Sequence, residues 1–311
     1  MIKIGDEQVK AGENRLIELQ VARLPSGTSI HLPIHVFSSS NPGPAVLICG
    51  GLHGDEVNGI EVVRQIIDAG ALDYLNKGCV IAMPIINIYG FINFSRDVPD
   101  GKDVNRSFPG NIDGSLASHV AYILTHHILP LIDFGIDFHT GGASRTNYPQ
   151  VRYNSDDINS HRLAKIFAAP FLLNTQYIDS SLRWQANQMG KTTIVYEGGE
   201  SLRLDDFAIR EAIDGTYRVL SHFGLIDKVV KKQKSIDLIR NTWVRAPRAG
   251  IFKSLKKSGQ PVEHGEIIGE INDPYNAENI PVEAHETGFI IGHNNMPVVH
   301  RGDALFNLGL S

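Results

Sequence analysis

Residues 44–68 read PAVLICGGLHGDEVNGIEVVRQIID, and the periodicity changes once along them. PAVLICGG is apolar, rich in strand formers and too short for a helix, which predicts a strand buried on both faces. From Val57 onward, Val57, Ile60, Val63, Ile66 and Ile67 fall at helical spacing. A strand, a glycine-rich turn and a helix therefore follow one another, and the turn carries His53, Asp55 and Glu56. The pattern then repeats. VIAMPIINI at 80–88 predicts a second buried strand, SHVAYILTHHILPLI at 118–132 a helix, and DFGIDFH, ending at His139, a third strand. A helix near 159–168, a strand TTIVYE at 192–197 and a helix over 205–223 complete it. Strands alternating with helices predict an α/β fold, a mixed, largely parallel sheet with helices on both faces.

The flanks read differently. Alternating residues over 16–21 and 29–37, separated by Pro25 and Gly27, predict a β-hairpin. KVVKKQK at 228–234 is basic and reads as a solvated linker, which divides the chain into a catalytic α/β domain at 1–238 and a β-domain at 239–311. The second part repeats itself. Ala246 and Gly250 match Ala284 and Gly288, while Val262 and Gly265 match Val299 and Gly302, an offset of about 38 residues. So few units suit a small pseudo-symmetric barrel or sandwich. It resembles the biotinyl/lipoyl barrel-sandwich fold, but the connection INDPYNAENI at 271–280 lacks the lysine of such carriers. A structural or capping role is expected instead.

Across its 311 residues the chain has 29 Lys and Arg against 34 Asp and Glu, a formal charge of −5. That balance speaks against a nucleic-acid binder, which presents a basic stripe to phosphates. The two cysteines, Cys49 and Cys79, provide neither a disulfide scaffold nor a four-cysteine zinc site. MIKIGDEQVK opens without an apolar core segment, and no run approaches the length of a membrane span. A cytoplasmic protein without membrane or nucleic-acid partners is expected, and a homo-oligomer stays open. Gly-x-Gly-x-x-Gly and the P-loop are absent, so dinucleotide and nucleotide chemistry lack support.

The chemistry concentrates at strand ends, where open α/β sheets bind ligands. His53 and Glu56, three residues apart, bring an imidazole and a carboxylate to one point. His139 ends its strand in the same way. Two histidines and one carboxylate, with a fourth place for water, form a catalytic zinc pattern. DVNRSFPG at 103–110 places Asn105 and Arg106 in a loop, and an arginine fork suits a carboxylate. Glu197, at a strand end before Gly198 and Gly199, is placed to take a proton from zinc-bound water.

In this order and at these separations, His53-x-x-Glu56, Asn105-Arg106, DFHTGG with His139, and Glu197 resemble the zinc carboxypeptidase-like superfamily. Within it the chain is similar to the succinylglutamate desuccinylase/aspartoacylase family. The resemblance implies one zinc ion per chain, held by His53, Glu56 and His139. It implies Glu197 as general base and then proton donor to the leaving amine. Arg96 would stabilise the oxyanion, and Asn105 and Arg106 would hold a substrate carboxylate. Aspartoacylases carry a further substrate-binding arginine about ten residues before the base; here Arg183 stands fourteen before Glu197. That departure, with the EGGE sequence at 197–200, points to other small N-acyl amino acids or diamines.

Alternatives stay open for several residues. Asp55 competes with Glu56, and Asp137 would orient His139 or cap a helix. Arg145 and Arg152 either line the pocket or are loop charges, and Trp184 belongs to pocket or core. His119, His126 and His127 read as a solvated or half-buried helix face. The expected activity is a zinc amidohydrolase acting on a small N-acylated substrate. The alternatives are a carboxypeptidase acting on peptide C-termini and a non-enzymatic binding protein with a vestigial zinc site.

Overall fold

The computed structural model describes residues 1–23, 26–275 and 278–311. A small antiparallel pair, β1 (Ile2–Ile4) and β2 (Glu7–Val9), precedes the hairpin β3 (Asn14–Arg23) and β4 (Ser29–Ser38). The predicted hairpin is therefore present; Pro25 of its turn lies outside the described residues. Then follow β5 (Ala45–Cys49), α1 (Val57–Asp68), β6 (Cys79–Met83), α2 (Ile88–Ile92), α3 (Leu116–Ile123) and β7 (Phe134–Gly141). Next come β8 (Arg145–Tyr153), α4 (Ile158–Phe167), β9 (Phe171–Asn174), α5 (Leu182–Gln188), β10 (Thr192–Glu200), α6 (Asp206–His222) and β11 (Ile236–Leu238). The C-terminal part adds β12 (Arg240–Arg245), β13 (Gly250–Ser254), β14 (Pro261–Val262) and β15 (Ile267–Asn272). β16 (Asn279–Glu283), β17 (Gly288–Asn294), β18 (Val298–Val299) and β19 (Ala304–Leu310) finish it.

The order β6-β5-β7-β10 forms a parallel centre, flanked by antiparallel β4 and β3 on one side and β8 on the other. Residue parity sorts the two faces. Val46, Ile48, Phe134, Ile136 and Phe138 pack with α1, α4 and α6. Leu47, Cys49, Ile81 and Met83 turn to the opposite core, covered by α3 and α5. The expected mixed α/β sheet with helices on both faces is what the chain builds.

Three segments depart from the sequence reading. The strand expected over 80–88 stops at Met83, because Pro84 cannot donate to a ladder and Asn87 caps α2 by accepting from the Gly90 amide at 2.8 Å. The helix expected over 118–132 is regular only to Ile123 and continues as a wider turn over Leu124–Ile128 and a tighter one over Leu129–Leu131. Pro130 removes one helical donor there. The basic stretch 228–234 is exposed but anchored: Arg218 donates to the Lys231 carbonyl at 3.0 Å, and Gln233 bonds Glu211. Missing altogether from the reading were β1, β2, α2, β8, β9, α5 and β11.

The C-terminal repeat is a structural one. β12, β13, β14 and β15 recur as β16, β17, β18 and β19, and short β14 pairs with β17 just as β18 pairs with β13. The Gly265 amide donates to the Ala284 carbonyl at 2.7 Å, and its counterpart Gly302 donates to Ala246 at 2.9 Å. Val244, Phe252, Ile271, Val282, Ile290 and Phe306 share a separate core. The connection between the halves includes Asn276 and Ala277, which lie outside the described residues. The sheet nevertheless runs on: β17 pairs with β8, so the C-terminal strands extend the catalytic sheet.

One close approach sets the turn after β5. A Cβ on Gly59 would stand 2.6 Å from the Phe138 carbonyl oxygen, and one on Gly50 would stand 2.5 Å from Gly59. Glycines there let the start of α1 lie against β5 and β7. Gly59→Ala should destabilise by about 1–3 kcal/mol through overpacking. Calorimetry should show a midpoint lowered by roughly 3–8 °C, and an unchanged midpoint would contradict this packing.

Candidate active site

All eight residues singled out by sequence line one cleft of ≈ 260 Å³: His53, Glu56, Arg96, Asn105, Arg106, His139, Arg183 and Glu197. His53 and Glu56 come from the turn between β5 and α1, His139 from β7, and Glu197 from β10. The β7–β10 register places Glu197 beside His139 and Val195 beside Asp137. Asn58 of α1 fastens the far end of β10, donating to the Glu200 carbonyl at 3.2 Å and accepting from the Asp205 amide at 2.8 Å.

His53, Glu56 and His139 are each under 5 % exposed. Their donor atoms lie within 4.8 Å of one another, the sole such group among the described residues. His53 Nδ1 is 2.7 Å from Glu56 Oε1, His139 Nδ1 is 2.8 Å from Glu56 Oε2, and the two Nδ1 atoms stand 3.2 Å apart. His139 Nε2 lies 2.8 Å from Asp137 Oδ2, a contact that turns Nδ1 toward Glu56 and His53. His53 Nε2 lies 3.2 Å from Asp103 Oδ1, at ion-pair distance but not aligned for a hydrogen bond. Two ring nitrogens and a carboxylate therefore converge on one point and could hold a metal ion. This donor set fits a divalent ion such as zinc.

The two rings and the carboxylate also shift one another's protonation. Burial opposes charge on His139, yet Asp137 and Glu56 outweigh it and hold its pKa well above the ordinary imidazole value. Burial likewise opposes charge on His53, and Glu56 with Asp103 raises its pKa. Burial would raise the Glu56 pKa, but the two imidazoles pull it well below the usual carboxylate range. The pocket thus collects positive charge around an ionised Glu56. Asp55 is not part of the cluster; Glu56 takes that place.

Arg96 braces the cluster. Its Nη1 donates to Glu56 Oε1 at 3.3 Å and its Nη2 to Asp103 Oδ2 at 2.8 Å. Buried Asn87 holds the Arg96 backbone, donating to its carbonyl at 3.0 Å. Asn105 and Arg106 sit in the next loop. The Asn105 side-chain oxygen accepts from the Leu182 amide at 2.9 Å, so this residue also fastens the start of α5. Arg183, on α5, is 6 % exposed. Its Nη2 donates to Thr175 Oγ1 at 3.0 Å and the Gln176 carbonyl at 2.9 Å, while Nη1 has no partner among the described residues. Burial, then the neighbouring Arg152, lowers the Arg183 pKa to about 10.

Several residues were not assigned from sequence. Asp103 bridges Arg96 and His53, and Asp137 orients His139. Arg145, Asn147 and Arg152, all on β8, line the cleft together with Trp243 and Asn307 of the C-terminal part. The Arg145 guanidinium lies 5.7 Å from the centre of the Trp243 ring. Trp184 is half-buried and is not among the cleft residues. His126 stacks on Tyr122 and bonds its carbonyl, outside any metal cluster among the described residues.

Residues 42–223 match the succinylglutamate desuccinylase/aspartoacylase catalytic domain. The chain belongs to that family. The N-alpha-acetyl-L-2,4-diaminobutyric acid deacetylase of Halomonas elongata is 27% identical over 294 residues, 89% of this chain and 85% of that protein. The product-bound structure of the ectoine utilization protein EutE (DoeB) from Ruegeria pomeroyi shares the fold at TM-score 0.85 and 24% identity, covering 96% of this chain and 95% of that one. A succinylglutamate desuccinylase/aspartoacylase structure from Rhodobacter sphaeroides gives TM-score 0.82 and 26% identity, with coverages of 95% and 94%. The family match and the Halomonas elongata relative support an amide-hydrolysing, acyl-removing activity on small substrates.

Metal binding gives the direct test of this geometry. Metal-free protein titrated with zinc in a calorimeter should take up one ion per chain. His139→Ala should abolish that uptake, and Asp137→Ala should weaken it by about 10–100-fold. Unchanged affinity in both variants would mean that the ion binds elsewhere.

Proposed function

We propose that the protein is a zinc-dependent amidohydrolase that removes the acyl group from a small N-acyl amino acid or diamine. The observation that carries this reading is the buried convergence of His53, Glu56 and His139 with Glu197 in register beside His139. His53, Glu56 and His139 would hold the metal. A zinc ion supplies Lewis acidity there, polarising a carbonyl and acidifying water.

The remaining steps belong to side chains. Glu197 takes the proton of the attacking water and returns it to the leaving amine nitrogen as the C–N bond breaks. Arg96 places a fixed positive charge at the edge of the metal cluster, where negative charge develops on the carbonyl oxygen. The cleft holds a place for a substrate carboxylate, because Arg183 Nη1 and Arg145 Nε are buried without hydrogen-bond partners among the described residues. Arg106 adds a further guanidinium to the cleft lining. Trp243 and Asn307 wall the cleft from the C-terminal part, which favours a small substrate over a peptide C-terminus.

The test is amine release from N-acetyl, N-succinyl and N-formyl amino acids and diamines, including Nα-acetyl-L-2,4-diaminobutyrate, beside C-terminal dipeptides. Chelator-sensitive release from one N-acyl compound is expected. Glu197→Gln should keep the metal and lose at least about 100-fold in kcat. Dipeptide cleavage at comparable rates, or full activity of Glu197→Gln, would overturn the proposal.

A further inference from the structure

β8 carries an irregularity that brings two unlike side chains onto one carboxylate. Between β10 and β8 the register runs Val195 to Arg152 and Glu197 to Gln150, then Gly199 to Asn147. Two steps on β10 therefore match three on β8, so an extra residue sits at Tyr148–Pro149. Without it, Asn147 and Arg152 would face opposite sides of the sheet, since their positions differ by an odd number. The bulge reverses the parity and turns both toward the cleft, and bulges re-aim side chains in this way. Pro149 suits the interruption, because it has no N–H to place in the ladder.

Both side chains then reach Glu197. Asn147 Nδ2 donates to Oε2 at 2.9 Å, and Arg152 Nη1 lies 3.1 Å from Oε1. Each carboxylate oxygen has its own donor, which fixes the plane of the group as well as its position. Arg183 lies close enough to Arg152 for the two charges to disfavour each other. Glu197 offsets the charge of Arg152. Arg183 instead is anchored through Nη2 to Thr175 and Gln176, with Nη1 unpartnered among the described residues. The two arginines thus have separate duties.

We propose that Arg152 and Asn147 are positioning residues for Glu197, holding its carboxylate in line for proton transfer. The proposal rests on the reading of Glu197 as the proton carrier. A carboxylate gripped at only one oxygen swings about its Cγ–Cδ bond, and the proton acceptor is misaligned for most of the time. Displacements of that order cost about 10²-fold in rate.

The experiment measures kcat and KM for Arg152→Gln, Arg152→Lys and Asn147→Ala on the N-acyl compound of the panel that wild type releases fastest. Zinc stoichiometry and circular dichroism accompany each variant. Arg152→Gln should lower kcat by roughly 30–100-fold and Asn147→Ala by about 10-fold, each with KM within about twofold and one zinc retained. Arg152→Lys, which keeps one donor, should recover part of the loss. A raised KM with unchanged kcat in Arg152→Gln would make Arg152 a substrate-binding residue and overturn the role. Unchanged kcat in Asn147→Ala overturns the two-point grip, and that variant decides the matter if Arg152→Gln does not fold. Full activity in Glu197→Gln would instead remove the reading beneath the proposal. Loss there, with wild-type kcat in Arg152→Gln and Asn147→Ala, would reject the positioning role alone.

Discussion

A buried carboxylate between two imidazoles governs the rest of this structure. Glu56 touches His53 and His139 through different oxygens, receives the Thr140 amide at 3.0 Å, and is braced by Arg96. Burying an ionised carboxylate is costly unless it is paired and hydrogen-bonded. Here the four partners come from three elements: the β5–α1 turn, β7, which gives both His139 and Thr140, and the loop that follows α2. The cluster can form only if those elements meet to within a few tenths of an ångström. The glycines at 50 and 59 serve that requirement, and so does Asn87, which fixes the backbone beneath Arg96.

The sheet extends the site outward. β10 lies next to β7, so Glu197 inherits its position from the ladder that holds His139. β8 lies next to β10 and supplies Arg145, Asn147 and Arg152. β17 pairs with β8, which carries the order into the C-terminal part and places Trp243 and Asn307 on the cleft wall. The C-terminal repeat is therefore more than an appended fold: its strands share hydrogen bonds with a strand that lines the site. The cleft lining thus joins the His53–Glu56–His139 cluster to Arg96, Arg106, Arg145, Arg152 and Arg183.

Much of this was legible in the sequence because the informative residues stand at strand ends. His53, Glu56, His139 and Glu197 each follow a run of buried apolar residues, and such runs mark parallel strands without any tertiary information. The hairpin and the internal repeat were visible in the same way, through alternation and spacing. β8 was not visible. Its sequence RTNYPQVRY has a proline inside and a parity change at the bulge, so neither alternation nor an apolar run signals a strand. Arg145 and Arg152 consequently read equally as pocket residues or loop charges, and Asn147 was not singled out. The strand end at Met83 and the helix break near Pro130 were misjudged because apolar periodicity outlasted the backbone hydrogen bonding that proline interrupts. The double use of Asn105, facing the cleft while bonding Leu182, depends on a contact 77 residues distant and has no local signature.

X-ray absorption of the zinc-loaded protein tests the central claim most directly, because it reads the atoms around the ion. The account predicts light-atom ligands only, with two imidazoles and carboxylate oxygen, and a spectrum that changes when Glu56 is replaced by Gln. Sulfur in the first coordination shell, or a spectrum indifferent to the Glu56 substitution, would contradict it.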